Sequence, residues 1–265
     1  MKIPKAKFLE TILAQKRQEV AQMPAEKPQK VRQTYKLYDF LKQHENQLQI
    51  IAEVKKASPS LGDINLDVDI TVQAKTYEKA GAAMISVLTD PVFFKGDIAY
   101  LREISEKVKI PTLNKDFIID QKQIDRAINA GATVILLIVA CFENDFAGLK
   151  KLYTYAIQQG LEVLVETHNK AELDLAHALG AKIIGVNNRN LKTFEVSLQN
   201  SLDLVKDFQA ENVYISESGI FGTQEAERVA PYFNAILVGT ALMQAKNVEK
   251  MLTQLKTKRQ CEKKC

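Results

Sequence analysis

The sequence predicts an α/β protein, a TIM (β/α)8 barrel with an N-terminal helical extension, and three observations support this prediction. Short apolar runs alternate with amphipathic stretches eight times after residue 48. Several of the amphipathic stretches end in a glycine just before the next apolar run. The chain has 265 residues, close to the roughly 250 residues that one such barrel needs.

The first 48 residues precede the first apolar run and form the predicted extension. The segment FLETILAQKRQEVAQM (8–23) has the pattern of an amphipathic helix, which Pro24 and Pro28 then end. The segment YDFLKQHE (38–45) predicts a second short helix. A segment this short and polar cannot bury a core of its own, so we expect it to pack on the barrel rather than form a separate domain.

The eight apolar runs predict the strands of the barrel, which we place at residues 49–258. The runs are short, rich in β-branched residues and apolar on both faces, as expected for parallel strands covered by helices. In chain order they are QIIAEV (49–54), AAMISVL (82–88), PTLNK (111–115), TVILLIVA (133–140), EVLVE (162–166), KIIGVN (182–187), VYISE (213–217) and AILVG (235–239).

The stretches between the runs predict helices, for example at 67–82 and 147–160. This alternation predicts a parallel sheet with right-handed crossovers. The main alternative is an open doubly wound sheet, but no G-x-G-x-x-G motif follows the first run, so a closed barrel is favoured. Four stretches end in the glycine that commonly follows a helix C-terminus, at Gly81, Gly131, Gly160 and Gly180.

Charge and composition narrow the class of function. The formal net charge is +4, and the two signs are interleaved along the chain, so the sequence does not indicate a nucleic-acid-binding surface. The longest apolar run, 134–142, is strand-sized and too short to span a membrane. Residues 1–20 lack the apolar segment of a secretory signal. We therefore expect a cytoplasmic protein with no nucleic-acid or membrane partner.

Cysteine, histidine and serine give no sign of metal or nucleophile chemistry. The three cysteines form no even disulfide set: Cys141 ends an apolar run and is expected to be a buried thiol, whereas Cys261 and Cys265 lie in a polar C-terminal tail, 259–265. Ser218 has no histidine near it in the sequence. No metal site is therefore expected, because the histidines also lack ligand spacing, at His44, His168 and His177.

Charged and polar residues occur where the predicted strands end, which is where a barrel of this type carries its active site. Residues two apart share one face of a strand, so each of five strands is expected to continue an inward-facing column toward the barrel mouth. Burying many ionisable groups costs several kcal/mol unless they pair or bind a ligand, which favours an active site. The columns are Ile51, Glu53 and Lys55; Leu113 and Lys115; Leu164 and Glu166; Asn187 and Arg189; Ile215 and Glu217.

Two glycine-containing turns predict a phosphate site. Ser218 and Gly219 follow the seventh run, and Gly239 and Thr240 follow the eighth, just before a short helical stretch. Glycine lets backbone N–H groups approach an anion closely, and a helix N-terminus adds a favourable dipole. Loops after the seventh and eighth strands are the usual phosphate position in this fold, so the substrate is expected to be a small phosphorylated molecule.

Six segments, in order and at compatible spacing, resemble the indole-3-glycerol-phosphate synthase family. The resemblance covers essentially all of residues 50–243, and its most specific parts are the E-V-K-x-A-S-P-S block and K-D-F-I. Its departures are small: Asn114 stands where an arginine is common, and Thr240 replaces a frequent serine. The segments are IIAEVKKASPSLGDI (50–64), LNKDFIID (113–120), LLIVA (136–140), GVNNRNL (185–191), SESGI (216–220) and LVGTALM (237–243).

The resemblance implies a lyase of tryptophan biosynthesis, which converts 1-(2-carboxyphenylamino)-1-deoxyribulose 5-phosphate to indole-3-glycerol phosphate by ring closure, decarboxylation and dehydration. Lys115 is the expected acid for the ketone oxygen during ring closure. The ring cation formed in that step accepts the electrons left by carbon dioxide, so no cofactor is required. Lys55, Glu53 and Glu166 are the candidate acid and base of dehydration, and their division of labour is left open.

The resemblance also implies substrate contacts and a monomer. Asn187, Arg189 and Glu217 would line the site, and Phe94 and Phe117 would pack against the anthranilate ring. Neighbouring cations in the mouth are expected to lower the pKa of the acid lysine. The phosphate end of the substrate would meet the remaining predicted contacts, Ser58, Ser218, Gly219, Gly239 and Thr240.

Two other classes of function fit the fold. A ketose isomerase or Schiff-base aldolase would also act on a phosphosugar, but such an aldolase usually has a lysine at the end of the sixth strand, where this chain has VNNRN (186–190). A barrel that binds a phosphorylated ligand without turnover would not need the acid–base set. That set comprises Glu53, Lys55, Lys115 and Glu166.

Overall fold

A computed structural model describes residues 7–59, 62–191 and 193–259. Eight parallel strands form a closed barrel in the order β1-β10-β9-β8-β7-β6-β5-β4, and a two-stranded hairpin, β2-β3, lies outside it. The strands are β1 (Gln49–Val54), β2 (Ala57–Ser58), β3 (Gly62–Asp63), β4 (Met84–Leu88), β5 (Thr112–Lys115), β6 (Val134–Ile138), β7 (Glu162–Thr167), β8 (Ile183–Asn187), β9 (Val213–Glu217) and β10 (Ala235–Val238).

Two helices, α1 and α2, precede the first strand, and the helices after it cover the outside of the barrel. They are α1 (Phe8–Gln22), α2 (Leu37–Gln43), α3 (Ile70–Lys79), α4 (Ile98–Lys107), α5 (Gln121–Asn129), α6 (Phe146–Gln158), α7 (Lys170–Leu179), α8 (Gln199–Leu204), α9 (Thr223–Val229), α10 (Thr240–Met243) and α11 (Val248–Leu255). The four glycines predicted to follow helix C-termini all have positive φ, as that position favours.

The barrel closes because β1 pairs with both β10 and β4, with Gln49 opposite Ala235 and Ile51 opposite Met84. An open sheet would have two edge strands with a single neighbour each, whereas each of these eight strands pairs with two others, so the closed-barrel prediction is confirmed. Alternate residues of the strands point into the barrel and form one apolar cluster, which includes Ile51 and Leu113. The residues between them pack under the helices in a second cluster.

The N-terminal segment contacts both ends of the barrel. Near the strand N-termini, the backbone N–H groups of Leu37 and Tyr38 donate to the carboxylate of Glu162, the first residue of β7, at 2.6 and 2.8 Å. At the other end, α1 buries Phe8 and Ile12 in the interior cluster. The N-terminal helix therefore covers the barrel mouth, where the predicted site residues lie.

Two local expectations differ from the structure. The apolar run 133–140 predicts a longer strand than β6, which ends at Ile138 because the chain turns into a 3-10 helix at Val139–Phe142. Apolar sequence reports burial, and here burial continues past the strand. Cys141 lies in that turn and is less buried as a whole residue than expected, although its thiol is buried enough for its pKa to be raised.

Within the described ranges, no helix has the length and apolarity that crossing a membrane requires. Of the predicted tail 259–265, only Arg259 lies within those ranges. Cys261 and Cys265 fall outside the described residues. The division into an extension at 1–48, a barrel at 49–258 and a tail stays a prediction.

Candidate active site

The carboxyl ends of the barrel strands surround a cavity that every residue predicted for the site lines. This convergence follows from the period of two along each strand, which places Glu53 and Lys55 above Ile51, and Lys115 above Leu113. The residues are Glu53, Lys55, Ser58, Phe94, Lys115, Phe117, Glu166, Asn187, Arg189, Glu217, Ser218, Gly219, Gly239 and Thr240. Their individual roles stay predictions.

A lysine between two glutamates forms the centre of the cavity. Nζ of Lys115 lies 2.9 Å from Oε2 of Glu166 and 3.3 Å from Oε2 of Glu217. The side-chain amide of Asn187 donates to Oε1 of Glu166 at 3.0 Å. Beside this group, Nζ of Lys55 lies 2.7 Å from Oε1 of Glu53. Two lysine–glutamate pairs therefore face the same cavity.

The surrounding carboxylates keep Lys115 charged. Burial alone would lower the pKa of Lys115, but Glu166, Glu217 and Glu53 together raise that pKa above its ordinary value. The expectation that neighbouring cations lower the pKa is therefore wrong. Those cations have their own partners, and the groups in contact with Lys115 are the carboxyl groups of Glu166 and Glu217. Lys115 therefore carries a proton at neutral pH.

The two glutamates beside Lys115 differ in protonation. Burial favours the neutral form of both. For Glu166, the charge of Lys115 and the contact with His168 outweigh burial and hold its pKa below the ordinary value. For Glu217, burial and the charge of Glu166 outweigh Lys115 and raise its pKa to about 8. One carboxylate is thus ionised at neutral pH while its neighbour mostly carries a proton.

Two glycines make room for these side chains. A Cβ on Gly185, in β8, would collide with Oε1 of Glu217. A Cβ on Gly239 would collide with Oε1 of Glu53 and come within 2.9 Å of Nζ of Lys55. Gly185 was not predicted as a site residue from the sequence, and Gly239 was predicted only for the phosphate turn. A missing side chain gives no signal in the sequence until its neighbour across the barrel is known.

The turn after β9 has an uncommon backbone conformation. Ser218 and Gly219 have φ values of 64° and 80°, and positive φ in a residue other than glycine is often found at functional sites. The side chain of Asn188 donates to the carbonyl oxygen of Ser218 at 3.0 Å and so fixes the turn. Thr240 begins α10 on the other side of the cavity.

Aromatic rings form the apolar wall of the cavity. The rings of Phe94 and Phe117 have centroids 6.2 Å apart, and those of Phe8 and Phe194 are 4.6 Å apart in an edge-to-face arrangement. The first pair was predicted from the sequence, and the second pair was not. Phe8 reaches the cavity only because α1 crosses the barrel mouth, which no local pattern indicates.

Two further charged side chains, His168 and Lys16, lie outside the cavity lining and contact residues in or next to the site. His168, considered in the sequence only as a metal ligand, lies with Nε2 3.3 Å from Oε1 of Glu166 and Nδ1 3.0 Å from Oε2 of Glu172. Lys16 of α1 lies with Nζ 2.7 Å from Asp90 and 2.8 Å from Asp116, the residue after Lys115. Neither was predicted as a site residue. The partners of Lys16 and His168 lie on other elements, so the sequence alone does not show these contacts.

Comparisons with known sequences agree on one family. Residues 9–255 match the family model described as indole-3-glycerol phosphate synthase. The chain is 77% identical over 259 residues to the indole-3-glycerol phosphate synthase of Lactococcus lactis subsp. cremoris (strain MG1363), with 98% of each chain covered. It is 68% identical over 248 residues to the enzyme of that name from Streptococcus pneumoniae (strain Hungary19A-6), covering 94% of this chain and 96% of that one.

Among solved structures, the 3-hexulose-6-phosphate synthase from Salmonella typhimurium superposes with a TM-score of 0.64 and 15% sequence identity. The match covers 78% of this chain and 96% of that one. At this identity the likeness concerns the barrel fold alone.

Proposed function

The chain belongs to the indole-3-glycerol phosphate synthase family, and from this premise we propose how its residues divide the reaction. The chain is a decarboxylating lyase of tryptophan biosynthesis that acts on a small phosphorylated substrate. The reaction closes a five-membered ring in 1-(2-carboxyphenylamino)-1-deoxyribulose 5-phosphate, then releases carbon dioxide and water to give indole-3-glycerol phosphate.

Lys115 donates the proton for ring closure in this proposal. The aromatic carbon that bears the carboxylate attacks the ketone carbon, and the ketone oxygen takes a proton from Nζ of Lys115. The observation that carries this role is the position of Lys115 in the cavity, with Nζ 2.9 Å from Glu166 and 3.3 Å from Glu217. Glu217 can return a proton to Lys115 afterwards, because its pKa of about 8 keeps a proton within 3.3 Å.

Decarboxylation then needs no group beyond the substrate. Attack at the substituted carbon breaks the aromaticity of the ring and leaves a cation conjugated to the nitrogen. The electron pair of the breaking carbon–carbon bond restores the aromatic ring as carbon dioxide departs. The protein's part is to hold the anthranilate ring, a role that we assign to the apolar wall of Phe94 and Phe117.

Dehydration removes the hydroxyl group formed in ring closure and a proton from the neighbouring ring carbon. Glu166 suits the role of base because its pKa is held low and it stays ionised. Lys55 suits the role of acid, since it faces the same cavity and its Nζ lies 2.7 Å from Oε1 of Glu53. The proposal thus chooses Glu166 as base and Lys55 as acid among the three candidates that the sequence left open, Lys55, Glu53 and Glu166.

Substrate binding is assigned to the two sides of the mouth. The turns at Ser218–Gly219 and Gly239–Thr240 would hold the phosphate through backbone N–H groups, with Ser58 nearby in the cavity lining. Arg189 is half-buried and donates through Nη1 to the carbonyl oxygen of Phe194 at 3.3 Å, which orients its guanidinium. With Asn187, it would contact the polar part of the substrate.

Single-turnover kinetics of the Lys115→Met variant test this division of labour. Mixing excess enzyme with substrate and following indole fluorescence and substrate loss together separates ring closure from dehydration. We expect substrate to persist, because its ketone oxygen lacks an acid. Rapid substrate loss with build-up of a cyclised, decarboxylated intermediate would instead move Lys115 to the dehydration step.

We further propose that the chain acts as a monomer in the cytoplasm. The family resemblance supports both expectations. Sedimentation velocity of the full chain tests the first, and a dimer that persists on dilution would contradict it. Fractionation of the source cells tests the second, with activity in the cytosolic fraction as the expected result.

A further inference from the structure

We propose that His168 is a positioning residue, which with Glu172 fixes the carboxylate of Glu166 and keeps it charged through the catalytic cycle. The proposal rests on the role of Glu166 as the base of dehydration. His168 follows β7 directly and lies two residues beyond Glu166, so both side chains leave the strand on the same face. Neither His168 nor Glu172 lines the substrate cavity.

Three side chains form a continuous carboxylate–imidazole–carboxylate chain. Nδ1 of His168 lies 3.0 Å from Oε2 of Glu172, and Nε2 lies 3.3 Å from Oε1 of Glu166. Glu172 is itself fixed, because it accepts from the backbone N–H of His168 at 2.8 Å and from the amide of Asn169 at 2.7 Å. The first turn of α7 therefore holds the imidazole against the catalytic strand.

The two carboxylates favour a doubly protonated imidazole. Nδ1 is at hydrogen-bonding distance from Glu172, whereas Nε2 lies 3.3 Å from Oε1 of Glu166 as a charge contact without the alignment of a hydrogen bond. Burial opposes this charge, since the side chain is 11% exposed, yet Glu166 and Glu172 raise the pKa of His168 to about 10. His168 is therefore a fixed cation at neutral pH.

The other groups that face Glu166 cannot replace this cation. Lys115 contacts Glu166 at 2.9 Å but divides its charge with Glu217. Asn187 is neutral. Cys141, in the turn after β6, is close enough to feel the charge of Glu166, and burial raises the pKa of its thiol so that it stays neutral. Among these groups, only His168 supplies a charge that the reaction does not use.

The reaction itself makes the second cation necessary. When Lys115 gives its proton to the ketone oxygen, Glu166 loses its nearest positive partner until Glu217 returns a proton, and Glu217 is then a second anion that shares the charge of Lys115. A carboxylate buried without a counter-charge takes up a proton, and a protonated Glu166 cannot serve as a base. His168 keeps its charge through this step, because it does not contact the reacting atoms. It thereby preserves Glu166 for dehydration.

The pH profile of kcat/KM separates positioning from a purely structural role. Replacing His168→Gln should move the acid limb to higher pH by about one unit or more, because Glu166 then protonates more easily. Glu172→Gln should move it less, since the imidazole remains. The control is His177→Gln on the same helix, whose ring contacts Tyr214 at 3.0 Å outside the cavity and whose loss should leave the limb in place.

Two readouts sharpen the result. Rate loss in His168→Gln should be greatest at the acidic end of the profile and appear in kcat more than in KM. The chain has three histidines, so carbon-13 labelling at Cε1 gives a spectrum that His168→Gln and His177→Gln assign. The His168 signal should be that of an imidazolium at about pH 8, and Glu172→Gln should lower its titration midpoint.

Two results would overturn the proposal. One is a uniform rate loss at every pH in His168→Gln with an unmoved acid limb, and the other is a neutral His168 signal at about pH 8 in the unmodified enzyme. If His168→Gln fails to fold, Glu172→Gln and the spectrum decide alone. The Glu166→Gln variant tests the proposed function separately. Full activity of Glu166→Gln would show that Glu166 is not the base. If Glu166→Gln is inactive but the acid limb of His168→Gln is unmoved, only the role of His168 is contradicted.

Discussion

Two buried lysines, Lys16 and Lys115, lie on opposite sides of one strand end and differ in what surrounds them. Lys16 is fully buried between Asp90 and Asp116, with Nζ–oxygen distances of 2.7 and 2.8 Å. Lys115 is 14% exposed, holds its carboxylates at 2.9 and 3.3 Å, and faces an open cavity. A lysine enclosed by its partners stabilises the fold, whereas one with an open side can give its proton to a ligand.

The carboxylates extend this contrast. Oδ1 of Asp90 accepts the backbone N–H of Phe93 at 2.6 Å, and Oδ1 of Asp116 accepts that of Phe117 at 2.8 Å, so the Lys16 cluster fixes the backbone of the aromatic wall. The Lys115 cluster contains Glu217, neither of whose oxygens has an aligned hydrogen-bond donor, and Oδ2 of Asp90 in the Lys16 cluster also lacks one. The contrast therefore lies in the enclosure of Lys16 and the partial exposure of Lys115.

The largest expected effect is on turnover in Lys115→Met. Removing a positioned acid typically lowers kcat by about 10²–10⁴-fold, because the contact strengthens only as the alkoxide forms. The fold should persist, since Glu217 can remain neutral by keeping its proton. Steady-state kinetics and circular dichroism check both statements. Turnover within a few-fold of the unchanged enzyme would remove the distinction between the two lysines.

The next effect is on stability in Lys16→Met. Breaking a buried ion pair leaves carboxylates without a counter-charge and costs about 3–5 kcal/mol of unfolding free energy. Denaturant unfolding measures this loss, and kcat of the folded enzyme should change far less than in Lys115→Met. The matched control is Lys79→Met, whose ion pair with Glu249 is exposed and should contribute little. Equal losses in the two variants would contradict the assignment.

A smaller effect is expected on KM, and it distinguishes Gly219 in the predicted phosphate turn from Gly160 outside the site, both of which have positive φ. In Gly219→Val the new side chain would meet Val196 within the predicted phosphate turn, so KM should rise while kcat at saturation changes less. Gly160→Val carries similar backbone strain at a position with open space around it and should leave KM unchanged. Gly239→Val is a poorer probe, because its side chain would also displace Glu53. An unchanged KM in Gly219→Val would place the phosphate elsewhere.

The smallest effect concerns the pH dependence of stability. His168 has a folded-state pKa of about 10 against an ordinary value of 6.5, so the folded protein binds more protons between these limits. Its contribution is fully present below about pH 6.5 and is lost as pH rises through about 10. His168→Gln should flatten this decline in urea unfolding measured across the window. An equally steep decline would show that other groups cause it.

The sequence predicted the barrel and the columns of its mouth because both follow from local periodicity. Glu53 above Ile51 and Glu166 above Leu164 require only that strand side chains alternate. Lys16 and His168 were missed as site residues because their partners lie on other elements. The pKa of Lys115 was predicted in the wrong direction because sequence lists the charges at the mouth without showing which of them are in contact.

The adjacency of Lys115 and Asp116 has a consequence for insertions and deletions. The two residues face opposite sides of β5, one toward the cavity and the other toward α1. Because strand side chains alternate, loss of a single residue upstream within β5 would exchange these faces. Asp116 would then enter the cavity, and Lys115 would move to the face that is turned toward Lys16. This strand can accept substitutions one at a time, but its length is constrained by two charge clusters at once.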